Sequence, residues 1–173
     1  MTPATAYRLA GLCAVLGGLL RLIGPLAPDV LHGQSLQINW LLTDVLLLLG
    51  LVGIYGYSRK SLGLTGMVGF VLAVAGVLIV RSGGDMVFGP GTYRYGAVVW
   101  TIGMAVLAFP MLLRGVGHMV AAGLWTLALI IGIFSAMRPG ESWGVLLAEV
   151  AFSAGYIAAG LPLIARPDKG ETQ

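Results

Sequence analysis

The chain has 173 residues, of which 58% are hydrophobic and 10% are charged, and its mean hydropathy is +0.93. Soluble domains carry about a quarter charged residues, so this composition excludes an ordinary water-soluble domain. The formal net charge of +3 is spread over the ends of apolar runs, which argues against nucleic acid as a partner. No polar stretch is long enough to fold by itself, so residues 1–173 are expected to form a single domain.

Six apolar runs, each about as long as the hydrocarbon core of a bilayer is thick, follow one another along the chain. In lipid only a helix or a closed barrel satisfies its own backbone, and these runs lack the period-two alternation of barrel strands. We therefore predict an all-α integral membrane protein with six transmembrane helices. The predicted spans are residues 7–26, 38–57, 62–80, 93–113, 116–137 and 143–165.

The connections on the two sides of the membrane differ in length and in charge. Those on one side are very short and basic, whereas those on the other are longer and hold fewer cations. The positive-inside rule therefore predicts that both termini lie in the cytoplasm. The chain resembles small bacterial multi-pass proteins in composition, so the expected location is a bacterial cytoplasmic (inner) membrane. The predicted inner side carries Arg8, Arg59, Lys60, Arg114, Arg166 and Lys169, and the predicted outer side carries Arg81, Arg94 and Arg138.

Arginine recurs at similar places in three successive helix pairs. The first helices of the pairs end near Arg21, Arg81 and Arg138, at separations of 60 (81−21) and 57 (138−81) residues. One explanation is three tandem hairpins of the same orientation, related by an axis along the membrane normal. The other is the positive-inside rule acting three times, which accounts for the inner arginines Arg59, Arg114 and Arg166 but disfavours the outer set.

Small residues form stripes that predict close helix packing. At three-residue spacing, a stripe stays on one side of its helix. The stripe that closes the second span is expected to face the stripe that opens the third, across a turn at residues 58–61. The two stripes are Gly50, Gly53 and Gly56, and Gly63, Gly66 and Gly69, and the first span offers a similar groove at Ala10, Ala14 and Gly18.

Three charged residues fall inside the predicted spans. Asp44 lies six residues from the outer end of its span, hence about 9 Å deep, with Glu149 at a similar depth and Arg21 five residues short of its outer end. Each such charge costs about 2.5–3.5 kcal/mol on insertion scales, so the charges are expected to pair inside the bundle. Arg21 with Asp44 is the expected pair, and Glu149 either joins them or stays protonated in an apolar pocket.

These charges admit two interpretations. One is a structural ion pair that fixes the register of the helices. The other is an outward-facing polar pocket for a small anion, a lipid headgroup or a transported proton. The candidate substrate-binding residues of that pocket are Arg21, Asp44, Arg81, Arg138 and Glu149.

The sequence predicts no cofactor, no metal site and no catalytic residue. His32 and His118 lie at opposite membrane faces, so they cannot ligate one haem. His118 is expected to cap a helix end or to contact a headgroup. Lys60 lies at a membrane edge, where it cannot hold retinal, and the lone Cys13 is expected to be a buried apolar residue.

The loop at residues 82–91 carries Met86, Val87 and Phe88, and apolar residues on an outer loop suggest that something covers them. The sequence therefore favours a non-enzymatic accessory or assembly subunit of a larger membrane complex. Its expected partners are membrane lipids and either other membrane subunits or further copies of itself. The alternative is a small transporter or channel that uses the outer charges, and a weaker one is a lipid-modifying enzyme with Asp44 or Glu149 as general acid or base.

Overall fold

The computed structural model describes residues 2–82, 91–115, 117–138 and 142–165. These residues form helices and no strand, which confirms the all-α prediction. Five of the helices are long and apolar enough to cross a membrane, and the exception is the four-residue α2. The helices are α1 (Pro3–Leu22), a 3-10 turn (Gly24–Leu26), α2 (Ala27–Val30), α3 (Gln34–Arg81), α4 (Thr92–Arg114), α5 (Met119–Ala136) and α6 (Ser142–Ile164).

The 48-residue helix α3 folds back on itself at Gly63, whose φ of 62° and ψ of −158° are not helical. Tyr55 stacks on Phe70 with ring centroids 4.3 Å apart, and Asp44 forms an ion pair with Arg81. Asp44 precedes Tyr55 by as many residues as Arg81 follows Phe70, so the two parts of α3 run antiparallel. We call residues 34–62 the first arm and residues 64–81 the second arm.

The reversal lies later in the chain than the sequence predicted. The expected turn at residues 58–61 is helical, with the Ser61 hydroxyl donating to the Ser58 carbonyl over 2.8 Å. The Ser61 carbonyl lies at the break, where carbonyls lose their helical partners, and it accepts a hydrogen bond from Nη1 of Arg114. The break falls on Gly63 because its backbone conformation is open essentially to glycine alone.

Substituting Gly63 with alanine is therefore expected to cost about 1–3 kcal/mol of stability through backbone strain. Its Cβ would have room, since the nearest atoms are those of the Arg114 guanidinium at 3.8 Å. The measurement is thermal unfolding of the purified variant in mild detergent. An unchanged midpoint would mean that another residue sets the reversal.

The helix ends also change the expected depths of the charges. The first span was predicted to reach residue 26, but α1 ends at Leu22 and a 3-10 turn containing Pro25 follows. Arg21 therefore lies in the last turn of α1 instead of five residues inside it. Asp44 lies ten residues after the start of α3 at Gln34, and Glu149 lies seven residues after the start of α6 at Ser142.

The helices pack around a closed ring. α1 packs against both α3 and α6, α4 packs against α3 and α5, and α5 packs against α6. Within α3, the first arm meets α1 at Gly50 and Ala14, whereas the second arm meets α4 at Gly69 and Leu107. The first and last long helices are therefore neighbours, although they are farthest apart in sequence.

The two glycine stripes do not face each other, and that prediction is wrong. Gly50 and Gly53 approach Ala14 and Ala10 of α1, as the predicted groove on α1 allows. Gly69 approaches the α4 backbone instead. The arms use the large rings of Tyr55 and Phe70 for their mutual contact, which leaves the smooth stripes free to admit α1 and α4.

The centre of the ring is filled by large side chains, and the outside is apolar. Many bulky hydrophobic side chains on the outer surface are half or more exposed, as on a surface that faces lipid. The innermost positions belong to Trp100, Trp125, Tyr156, Leu47 and Met104, each no more than 1% exposed.

Candidate functional site

Two ion pairs lie at the end of the bundle where α1 ends, which we call the Arg21 end. Nη2 of Arg21 lies 3.1 Å from Oε1 of Glu149, and Nε of Arg81 lies 2.5 Å from Oδ2 of Asp44. The Asp44 side chain is 6% exposed and that of Arg21 is 12%, against 24% for Glu149 and 29% for Arg81. The side chains of both acids are thus mostly shielded from solvent, and each carboxylate has a guanidinium partner.

The expected pairing of Arg21 with Asp44 is wrong, since each residue pairs with another partner. Closure of the ring explains the difference. α6 approaches α1 where Gly160 meets Gly11, and the contact continues along both helices to Arg21 and Glu149. Sequence order favoured an acid on α3, the next long helix after α1. In the structure α6 supplies the carboxylate instead. Glu149 is therefore paired with an arginine and is not isolated in an apolar pocket.

Both ion pairs follow one rule. In each pair, an arginine at the C-terminal end of one helix binds an acid on the neighbouring helix that comes before it around the ring. Arg21 of α1 binds Glu149 of α6. Arg81 of the second arm binds Asp44 of the first arm. The third equivalent junction joins α4 to α5. There Arg138 follows α5 and is exposed, and α4 contains no acid. In the described part of the chain, Arg138 takes part in neither ion pair, while Asp85 and Glu141, and the loop residues Met86, Val87 and Phe88, lie outside the described residues.

Two aromatic rings lie against the Arg21 guanidinium. Its central carbon lies 5.0 Å from the centroid of Trp100 and 5.4 Å from that of Phe152, within the range of cation–π attraction. The Trp100 indole donates to the Tyr156 hydroxyl over 3.1 Å, and that hydroxyl donates to the Met104 sulfur over 3.5 Å. Trp100, Tyr156 and Met104 therefore form a series of hydrogen bonds that leads from Arg21 into the core of the bundle.

Comparison with protein-family models, with curated proteins and with solved structures gave no match to this chain. Function must therefore be inferred from the geometry of its own residues.

The aromatic part of the site was missed at the level of sequence. Tryptophan and tyrosine in membrane proteins favour the two interfaces, yet Trp100 and Tyr156 lie well inside α4 and α6 and are buried. Their distance from the helix ends was visible in the sequence. It indicates rings packed in the bundle interior, where the indole and the hydroxyl need partners.

His118 lies at the opposite end of the bundle, the Arg59 end, directly before the first residue of α5. Its side chain is buried, with its ring 5.6 Å from that of Tyr57. The predicted capping position is right, but the His118 side chain makes no capping hydrogen bond with the described helix end. Burial lowers its pKa from the ordinary value of 6.5 because the charged form is poorly solvated there.

Stability is therefore expected to decrease as the pH falls through 6.5. Below that value the unfolded chain binds a proton on His118 more readily than the folded protein does, so protonation favours unfolding. Thermal unfolding at about pH 8 and about pH 5.5 measures the effect. His118→Gln should remove part of the pH dependence, whereas His32→Gln, at an exposed position, should keep it. Equal effects of the two substitutions would contradict the assignment.

Proposed function

We propose that this protein is a non-enzymatic, multi-pass protein of a bacterial cytoplasmic membrane that acts by association, as an accessory or assembly subunit of a larger membrane complex. The observation that carries the proposal is the pairing of Asp44 and Glu149 with arginines of adjacent helices. Paired in this way, the charges fix how neighbouring helices meet. The outer surface of the bundle is then left for contacts with other molecules.

The topology that we propose has six spans, with both termini in the cytoplasm. The fold-back at Gly63 supports six, because the two arms of α3 run antiparallel within one long helix. The excess of lysine and arginine at the Arg59 end supports the orientation. Fusing a reporter enzyme to either terminus would test it, since both fusions should be active only as cytoplasmic reporters.

We also propose that the six spans are three diverged hairpins. The ion pairs support this, because they join the third hairpin to the first and the first to the second by the same kind of contact. The junction between α4 and α5 has kept its arginine, Arg138, but has no acid on α4. The hairpin is thus the unit that repeats around the ring.

Native mass spectrometry of the protein, extracted gently from its own membrane, tests the accessory role. A stoichiometric mass of a second polypeptide supports the proposal, and its identity would name the process. The control is extraction in a harsh detergent, which should release that mass and leave the chain alone. A chain that runs strictly alone after gentle extraction contradicts the proposal.

A small transporter or channel is the second candidate, and one observation favours it. The ion pairs lie at one end of the bundle, and Arg81 and Glu149 keep 29% and 24% of their side-chain surface exposed. A solute could therefore reach them from that side. Asp44→Asn and Glu149→Gln should then abolish flux into vesicles while the protein stays folded. If the same variants lose stability and keep their flux, the pairs are structural.

A further inference from the structure

An apolar groove runs along the outside of the bundle between the second arm of α3, α4 and α5. It is lined by Thr65, Ile102, Ala105, Phe109, Leu112 and Thr126, among others. The Thr126 hydroxyl donates to the Ala122 carbonyl over 2.9 Å, so its proton already has an acceptor within the helix. From Ile102 to Leu112 the groove extends along ten residues of α4, or about 15 Å. This length is close to the depth of one leaflet of the hydrocarbon core.

A guanidinium group lies near one end of this groove. Arg114 ends α4 two residues after Leu112, and it lies beside Gly63, two residues before Thr65. Arg114 therefore lies just beyond the lining residues, near the ends of both α4 and the second arm. The Arg114 side chain is exposed, and in the described part of the chain it makes one hydrogen bond, to the Ser61 carbonyl. A guanidinium has five N–H donors, so this bond leaves most of them available.

We propose that this groove binds an anionic phospholipid, with an acyl chain along α4 and the headgroup phosphate on Arg114. Planar guanidinium groups match phosphate oxygens in geometry and in charge. Arg59 and Lys60 are also exposed at the same end of the bundle and add positive charge. The inference rests on the proposed membrane location and is independent of the accessory role.

A second groove lies between α1 and the first arm of α3. It is also apolar and is lined by Pro3, Tyr7, Cys13 and Leu49, among others. The nearby cation is Arg8, which already has an interaction partner within the protein. Of these two grooves between described residues, the one on α4 lies near an exposed arginine whose single hydrogen bond leaves most of its donors available.

The test measures lipid retention by the intact protein. Protein extracted in mild detergent is equilibrated with mixed vesicles of phosphatidylglycerol and phosphatidylcholine, and the bound lipid is weighed by native mass spectrometry. Wild-type protein should retain phosphatidylglycerol preferentially. Arg114→Gln should reduce retention about tenfold through the lost charge-assisted bond, and Ala105→Phe should do the same by filling the groove. The matched control is Arg94→Gln, an exposed arginine at the opposite end of α4, which should retain lipid normally.

Arg114→Gln also removes the bond to Ser61, so its folding must be checked by circular dichroism. Ala105→Phe leaves that bond intact. A third measurement needs no variant: a phosphatidylglycerol with a photoreactive acyl chain should label the peptide that holds Ile102–Leu112 in wild-type protein. The inference would be overturned by labelling elsewhere, by equal retention of both lipids, or by an equal loss in Arg94→Gln. It would also be overturned if Ala105→Phe displaced a polypeptide. Absence of the chain from the membrane fraction would instead refute the proposed location.

Discussion

Replacing Gly76 with alanine is expected to disrupt the contact between the second arm of α3 and α4. A Cβ at this position would lie 2.3 Å from the backbone nitrogen of Trp100. The obstacle is backbone in the middle of a helix, which no rotamer change can move aside. Overpacking of this kind costs about 1–3 kcal/mol and occasionally more. Gly103→Ala should act alike, because its Cβ would lie 2.3 Å from the Ala73 backbone nitrogen.

Gly123→Ala on α5 is the matched control for both substitutions, since nothing lies within 4 Å of its Cβ position. Alanine favours a helix over glycine by about 0.8–1.0 kcal/mol, so this control should be neutral or slightly stabilising. Thermal unfolding in mild detergent compares the three variants. If Gly76→Ala and Gly123→Ala unfold at the same temperature, α3 and α4 do not pack as closely as the structure shows.

The helices and their order could be predicted from the sequence because they depend on local patterns. Long apolar runs and short basic connections are both visible without knowledge of the fold. The position of the reversal in α3 was less accessible. Ser58 to Ser61 looked like a turn because they are polar. Polar residues at the end of an apolar run are also compatible with helix, and only the backbone conformation identifies Gly63.

The candidate site was predictable as a set of charges but not as a set of contacts. Asp44, Glu149 and Arg21 are conspicuous in apolar helices, and each has an ion-pair partner in the structure. Which residues pair depends on ring closure between α1 and α6, and a contact between the ends of the chain leaves no local signal. The glycine stripes illustrate the same point. Residue spacing identifies the side of a helix that carries small residues, but it does not identify the helix that packs against that side.

Removing the Arg21 side chain alone is expected to destabilise the protein more than removing the whole ion pair. Arg21→Met would leave the carboxylate of Glu149 without its partner and would remove the charge that lies against Trp100 and Phe152. Breaking a buried pair costs about 3–5 kcal/mol, and the cost here should fall near or below the lower figure because Glu149 is partly exposed. The double variant Arg21→Met with Glu149→Gln should recover most of the loss, since no uncompensated charge remains.

Arg138→Met is the control for the loss of a positive charge as such, and it should change stability little because Arg138 is exposed. The measurement is again thermal unfolding, together with recovery of the partner mass in native mass spectrometry. If the pair is structural, the double variant should keep both its fold and its partner. A double variant that folds normally but loses a transport activity would instead show that Arg21 and Glu149 handle a solute, and would favour the transporter over the accessory subunit.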